Sequence, residues 1–192
     1  AQLPRLPAFV GIAKKIVPAE KALTVYNGVD QSLVQSITKS NQRKVVRQNW
    51  NVGDEEIIVG FVGRLWEQKD PETLYQIFKG CSDLSITFVI IGDGPFLHLF
   101  QKAPFKIILE GWVENPMQFY PAFDIFVQPS LWEGLPMTVI EALSFGVPVV
   151  ASDIKGNREC VEHNVNGFLC EPRNPKAFIA AITSLATSDE LY

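Results

Sequence analysis

Six short apolar runs, at residues 57–62, 86–91, 107–109, 125–127, 147–150 and 168–169, are separated by segments of helical or loop character. Parallel strands cannot be closed by a tight turn and need a crossover, usually a helix. The alternation therefore predicts an α/β fold on a doubly wound, Rossmann-like parallel sheet. A hydrophobic content of 47% fits strands covered on both faces. Helices are expected over 72–79, 95–101, 117–122, 137–145, 158–163 and 175–186. Upstream, residues 31–51 are polar and helical in pattern, with Val45, Val46 and Trp50 as inward anchors. A short strand from Leu23 is expected to close on the turn signal Asn27-Gly28. Residues 1–22, with Pro4, Pro7 and Pro18, read as a connector packed against a single domain over 23–192.

Composition excludes several classes of function. A net charge of −4 supplies no basic field for nucleic acid or an acidic membrane surface. The basic cluster Arg43, Lys44 and Arg47 is expected on the solvated face of a helix. Cys81, Cys160 and Cys170 lack metal-site spacing and read as reduced core or near-core residues of a cytosolic protein. With His98 and His163 the only histidines, no His/Cys metal cluster is expected. No apolar run approaches about 18 residues and no leader pattern is present, so a soluble, cytoplasmic chain is expected.

Chemistry-bearing residues concentrate in the stretch 123–152, FDIFVQPSLWEGLPMTVIEALSFGVPVVAS, which reads as strand, loop 130–135, helix and strand. In open α/β sheets, ligands bind at the carboxyl ends of the strands. Pro136 is expected at the first helical position, and no Ser, Thr, Asp or Asn directly precedes it as a cap. The free N–H groups and positive dipole end of that helix are then available to an anion. Glu133 and Glu141 flank the helix start, with Glu141 roughly 7–8 Å along the axis from Pro136. A phosphate at the helix start could thus have a sugar ring at Glu133 and a ribose at Glu141. Like charges about 4 Å apart repel by about 4 kcal/mol at an effective dielectric of 20. A neutral donor to a charged group returns about 1.5–3 kcal/mol. The carboxylates are therefore expected to accept from hydroxyls, leaving phosphates to N–H groups and cations. An equally open reading makes Glu133 a partner of the helix dipole and Glu141 a solvated helix residue.

Other strand-to-helix loops carry polar groups. In Gly63-Arg64-Leu65-Trp66-Glu67-Gln68-Lys69, Gly63 admits a ligand to the backbone, Arg64 can grip two phosphate oxygens and Lys69 adds a point charge. The competing reading is a solvated surface loop. Gly92-Asp93-Gly94-Pro95 lacks the third glycine of a dinucleotide fingerprint and reads as a tight turn. Gly111-Trp112-Val113 could set a backbone edge and an aromatic face beside a nucleobase, or Trp112 could fill the core. In the stretch 153–159, Gly156 could admit close backbone approach, Arg158 could reach an anion and Glu159 is expected in a first helical turn.

In order along the chain come Asn27-Gly28-Val29-Asp30, Val62-Gly63-Arg64 with Lys69, and Ile91-Gly92-Asp93-Gly94-Pro95. Next come Pro129-Ser130, Glu133-Gly134, and Glu141-Ala142 after seven intervening residues. Gly146-Val147-Pro148-Val149-Val150 and Asn166-Gly167-Phe168-Leu169 complete the series. Together these pieces resemble the carboxyl-terminal half of the retaining GT-B glycosyltransferases, the group 1 (family 4) class, over residues 24–182. The resemblance implies a domain that binds a nucleotide-diphosphate sugar. Arg64 and Lys69 match pyrophosphate ligands, Glu133 the carboxylate holding hydroxyls of the transferred sugar, and Glu141 the ribose ligand. Thr138 and Val139 match positions whose backbone N–H groups meet the donor phosphate.

With the loop readings, the expected catalytic set is Arg64, Lys69 and Glu133. The expected donor-binding set is Gly63, Trp112, Val113, Gly134, Leu135, Pro136, Thr138, Val139 and Glu141. No metal and no cofactor besides the donor is implied, and no nucleic acid. The family's intact enzymes carry an amino-terminal acceptor-binding domain that residues 1–23 could not supply. The chain is thus expected to be a donor domain, inactive alone, from an enzyme of glycan or lipid-linked saccharide synthesis with possible peripheral membrane association. Two rivals are a non-catalytic nucleotide-sugar-binding regulatory module and half of a sugar-nucleotide epimerase. The third glycine missing after Gly94 disfavours a dehydrogenase.

Overall fold

The computed structural model describes residues 26–187. The expected connector over 1–22 and the strand expected from Leu23 lie outside the described residues. The helices are α1 (Gln31–Lys39), α2 (Gln42–Asn49), α3 (Pro71–Gly80), α4 (Met137–Ser144), α5 (Lys155–Arg158) and α6 (Pro175–Ala186). The strands are β1 (Ile57–Val62), β2 (Ile86–Ile91), β3 (Ile107–Gly111), β4 (Ile125–Gln128), β5 (Val149–Ser152) and β6 (Gly167–Cys170). Single 3-10 segments stand at Glu67–Lys69, Leu97–Leu99 and Pro116–Ala122. The sheet order is β3-β2-β1-β4-β5-β6 and every pairing is parallel.

Consecutive apolar residues are needed because each strand feeds two cores. In β1, Val59 and Phe61 face one core while Ile58 and Val62 face the other. β2 repeats the division, with Phe88 and Ile90 opposite Val89 and Ile91. The first core is closed by Leu74 and Phe78 of α3 and Phe178 of α6. The second is closed by Val139 and Ala142 of α4 and by Tyr120. Fully burying each such large apolar side chain contributes about 1.5–3 kcal/mol. α3 and α6 start cleanly. Asp70 and Asn174 accept from Thr73 N–H and Ala177 N–H at 3.2 and 3.3 Å, each followed by a proline at the first position. Cys81 and Cys170 are buried and Cys160 half-buried, all free thiols, and burial pushes each up to about 11.

Several boundaries depart from the sequence expectation. The stretch 31–51 is two helices, divided where Asn41 takes a left-handed φ of 55°. The strand expected over 147–150 starts at Val149, because Pro148 has no N–H and only its carbonyl pairs, with Phe126 N–H at 2.9 Å. The expected helix over 95–101 is reduced to Leu97–Leu99, and that over 117–122 is a 3-10 segment with Pro121 inside it. The helix expected over 158–163 lies earlier, as α5, and Glu159 ends it rather than opening it.

The largest correction concerns the basic cluster. Lys44 is solvated, but Arg47 is 0% exposed. Its guanidinium donates to Ala122 O at 3.0 Å, Gly53 O at 2.7 Å, Asp54 O at 3.2 Å and the Glu56 carbonyl. It also pairs with Asp124 Oδ2 at 3.2 Å, while Arg43 reaches Asp124 Oδ1 at 2.7 Å. The inward face of α2 is therefore Arg43, Val46 and Arg47, continued by Trp50 at its end, with Val46 and Arg47 buried, and this turns Val45 out to 44% exposure. Asp124 also accepts from Ile58 N–H at 2.7 Å, so one carboxylate ties α2 to the start of β1 and β4. Removing one partner of a buried pair strands the other charge, at about 3–5 kcal/mol. Asp124→Ala should therefore lower the melting temperature by on the order of 10 °C, whereas Lys44→Ala should change stability by less than about 0.5 kcal/mol. Thermal unfolding of the two variants checks this.

Candidate functional site

The strand order reverses between β1 and β4, whose chains leave towards β2 and β5 respectively. Loops diverge at such a switch point and leave a crevice at the carboxyl ends of the strands. Here that crevice is spanned by side chains from both loops. Lys69 lies in the 3-10 segment after β1, and its stem passes over Gly63, where an added Cβ would stand 3.3 Å from Lys69 Cε. Its ammonium meets Glu133 Oε1, in the loop after β4, at 2.7 Å, with both side chains largely buried at 15% and 9% exposure. Gln68 Nε2 donates to the other Glu133 oxygen at 3.2 Å and to Trp132 O at 2.9 Å. Leu131 N–H closes the same contact on Gln68 O at 2.8 Å. The two loops are thus one unit.

Gly156, expected to admit close backbone approach, admits the backbone of this unit. A Cβ there would lie 2.5 Å from Gly134 O and 2.6 Å from Glu133 O. The backbone of α5 presses directly beneath the loop that carries Glu133. Arg158, expected to reach an anion, is engaged with Asp153 at 2.5 and 2.9 Å, and it holds the Asp153 carboxyl below its usual range.

α4 begins after Pro136, which is extended at ψ 104° and lies one place before the helix rather than inside it. No side chain caps α4. Val139 N–H is taken by Pro136 O at 3.2 Å, and the Val139 side chain belongs to the second core. Thr138 Oγ1 donates to Gln128 Oε1 at 2.6 Å. One turn further along, Glu141 Oε2 accepts from Tyr120 OH at 2.7 Å. Burial raises the Glu141 carboxyl above its ordinary range, and the Tyr120 hydrogen bond opposes this only in part. Burial, then the neighbouring carboxylate, pushes Tyr120 well above its own usual value. The solvated reading of Glu141 is thereby set aside.

Across β1, a cleft of about 660 Å³ groups Gly63, Arg64, Gly92, Trp112 and Val113. Arg64 is exposed, its guanidinium 4.5 Å over the Trp66 ring. Trp112 is 75% exposed, so it fills no core. Leu135 lines a different cavity, of about 420 Å³, with Ile140 and Leu143. The structure therefore draws the expected residues into two groups that meet where the Lys69 stem crosses Gly63. One is Lys69, Glu133, Gly134 and Thr138, and the other is Gly63, Arg64, Trp112 and Val113. Glu141 stands on α4 beside Tyr120, one turn beyond Thr138. Sequence reading overlooked Gln68, Gln128 and Tyr120. Gln128 carried a signal, as an amide ending the otherwise apolar run of β4, whereas Tyr120 was hidden in a segment expected to be helical. Among the described residues no group of three or more His, Cys, Asp or Glu stands where it could hold a metal ion. No helix there is long and apolar enough to cross a membrane.

A family model for glycosyl transferases group 1 matches residues 56–188. The chain belongs to this family. Within it, the chain is 30% identical to the Escherichia coli UDP-Gal:alpha-D-GlcNAc-diphosphoundecaprenol alpha-1,3-galactosyltransferase, over 94% of this chain and 49% of that protein. Its fold is similar to Anabaena Alr3699/HepE in complex with UDP, with a TM-score of 0.79 and 25% identity over 93% of this chain and 51% of the other. Alr3699/HepE in complex with UDP-glucose gives a TM-score of 0.75 and 26% identity, covering 88% and 49%. The group 1 chain described here spans about half the length of these relatives. Its fold is consistent with the carboxyl-terminal half of the GT-B architecture.

The half-buried Glu141 carboxylate gives a stability prediction with a definite sign. Its raised value means that the folded state holds the proton more tightly than the unfolded chain. The penalty is therefore absent at low pH and complete once pH passes the raised value. Glu141→Gln should raise the melting temperature at pH 7 relative to the native chain, and the gain should vanish towards about pH 4. An equal offset at both pH values would assign the effect to packing instead of charge.

Proposed function

We propose that this chain is the nucleotide-sugar-binding half of a glycosyltransferase that moves a hexosyl group from a nucleoside-diphosphate donor with retention of configuration. The Lys69–Glu133 pair across the switch point carries the reading, because it sets a cation for phosphate beside a carboxylate for sugar hydroxyls. The UDP and UDP-glucose complexes of the Anabaena neighbour support the same ligand class. In this reading the Arg64 guanidinium and Lys69 ammonium take the diphosphate, joined by the N–H groups of Met137 and Thr138 at the uncapped start of α4. The Val139 N–H, already held by Pro136 O, adds less. Glu133 accepts from the transferred sugar, Glu141 from the ribose, and the Trp112 and Val113 edge flanks the base.

Breaking the bond between anomeric carbon and phosphate oxygen sends its electron pair to the leaving diphosphate. Arg64, Lys69 and the helix start stabilise that growing charge without reorganising. The acceptor hydroxyl attacks on the face the diphosphate leaves, and its proton passes to the departing phosphate. The acceptor is held by a further amino-terminal domain joined through residues 1–22, so the isolated chain binds donor but transfers little. The intact enzyme acts on a glycan or lipid-linked saccharide on the cytoplasmic side, peripherally at the membrane. Cations already meet the diphosphate, so UDP affinity should change less than twofold or so between added Mg²⁺ and a chelator. A large loss in chelator would overturn the metal-free part of the reading.

The two glutamates separate by ligand. Glu141→Gln should weaken UDP and UDP-glucose alike, by on the order of 1 kcal/mol or somewhat more, because the ribose is common to both. Glu133→Gln should weaken UDP-glucose only. It also releases Lys69 from its ion pair, so affinity for bare UDP should hold or rise. Titration of both ligands against both variants decides the matter, and a parallel loss of UDP in Glu133→Gln would refute the assignment.

A further inference from the structure

Gln128 ends β4 at the switch point and is 0% exposed. Its neighbours in the sheet are apolar, Phe126 two places earlier and Ala151 across the register. The fold alone gives no reason for an amide here. Its Oε1 accepts from Thr138 Oγ1 at 2.6 Å and faces Lys69 Nζ at 3.5 Å, while its Nε2 finds no partner among the described residues. The orientation of the amide follows from chemistry. An ammonium can only donate, so the oxygen must be the end turned to Lys69.

One oxygen atom thus stands between the two loops of the crevice. Lys69 comes from the β1 side, and its ammonium is shared between Glu133 at 2.7 Å and Gln128 at the longer distance. Thr138 comes from the first turn of α4, on the β4 side. We infer that Gln128 is a positioning residue that holds Lys69 and the start of α4 in register for one diphosphate. It touches no ligand itself. The inference rests on the reading above, in which those two groups meet the phosphates. Without the amide oxygen, Lys69 keeps only its Glu133 partner and is drawn towards the sugar side, and Thr138 loses its tether.

Gln128→Met keeps the length of the side chain and removes both polar ends. It deletes a buried donor that has no partner, which offsets the loss of the bond from Thr138, so the melting temperature should change little. Affinity for UDP should nevertheless fall about tenfold, the scale of one charge-assisted contact. A merely structural role would lower stability and affinity together. The loss should also follow the phosphates, with uridine bound as before and UDP bound weakly. Thr138→Val removes the donor from the other end of the same bond. It should reproduce the loss, and the double variant should bind UDP no more weakly than the weaker single one.

Equilibrium titration of the chain with uridine and UDP, beside thermal unfolding, tests this. If native chain binds UDP and Lys69→Met weakens it while Gln128→Met does not, the positioning role fails and the donor reading stands. Multiplying losses in the double variant, or an equal loss for uridine, also overturn it. If the native chain binds neither UDP nor GDP, the donor reading falls first and the inference with it; if it binds only GDP, the same titrations are read with guanosine and GDP.

Discussion

β1 and β4 are neighbours in the sheet but are joined through only two registered pairs, Val59 with Ile125 and Gly60 with Phe126. Every other adjacent pair of strands has at least three registered pairs. This short seam is also where the strand order reverses, so it must hold together while its carboxyl end stays open. Charged side chains do both jobs. At the amino end, Asp124 takes Ile58 N–H at 2.7 Å and the guanidinium groups of Arg43 and Arg47, while its own N–H meets Ile58 O at 2.9 Å. At the carboxyl end, Lys69 and Glu133 span the gap at 2.7 Å. The seam is clamped at both ends and apolar between them.

The two clamps differ in what surrounds them. Arg47 spends its guanidinium on the carbonyls of Gly53, Asp54, Glu56 and Ala122, and Asp124 is filled by three donors, two from α2 and one from β1. Such a network is fully satisfied, and buried ionic groups so satisfied rigidify the fold rather than add net stability over an apolar core. The Lys69–Glu133 pair keeps spare capacity. An ammonium has three donors, of which Glu133 uses one and Gln128 weakly another. A ligand can therefore add to this pair without breaking it. The pair holds the two loops of the crevice at a fixed separation.

The strands were legible because their signal is local. A residue run that is apolar at every position can satisfy both faces of a sheet only by being buried on both, and β1 and β2 have the bounds that this pattern implies. α6 was equally plain, with Asn174 and Pro175 marking its start. What stayed illegible depends on partners distant in sequence. Arg47 reads as a surface charge until Asp124 is placed against it. Gly156 reads as a site of close backbone approach, but which backbone approaches it, the carbonyls of Glu133 and Gly134, is not in the local sequence. Lys69 and Glu133 were each singled out for separate ligand groups, yet nothing in their spacing implied that they pair with one another. The prolines misled in the opposite way. Pro148 lies beside β5 and contributes a carbonyl only, and Pro121 turns an apparent helix into a 3-10 segment.

Buried polarity is unevenly distributed, and its position is informative. The buried side-chain atoms without a hydrogen-bond partner among the described residues are Gln128 Nε2, Ser130 Oγ, Ser152 Oγ and Asn157 Oδ1. All stand at or just beyond the carboxyl ends of β4 and β5, in the part of the sheet that supports Glu133 and the start of α4. Each unpartnered group of this kind costs about 1–3 kcal/mol. A core optimised for stability alone would replace them with apolar residues, as it has done at Phe126, Val127, Val149 and Val150 one or two places earlier. Among the described residues, the unpartnered buried side-chain atoms stand at one edge of the sheet. That edge is the crevice side of the switch point. The unpartnered polar groups and the crevice therefore coincide, at an edge where the packing of the two cores does not itself call for polarity.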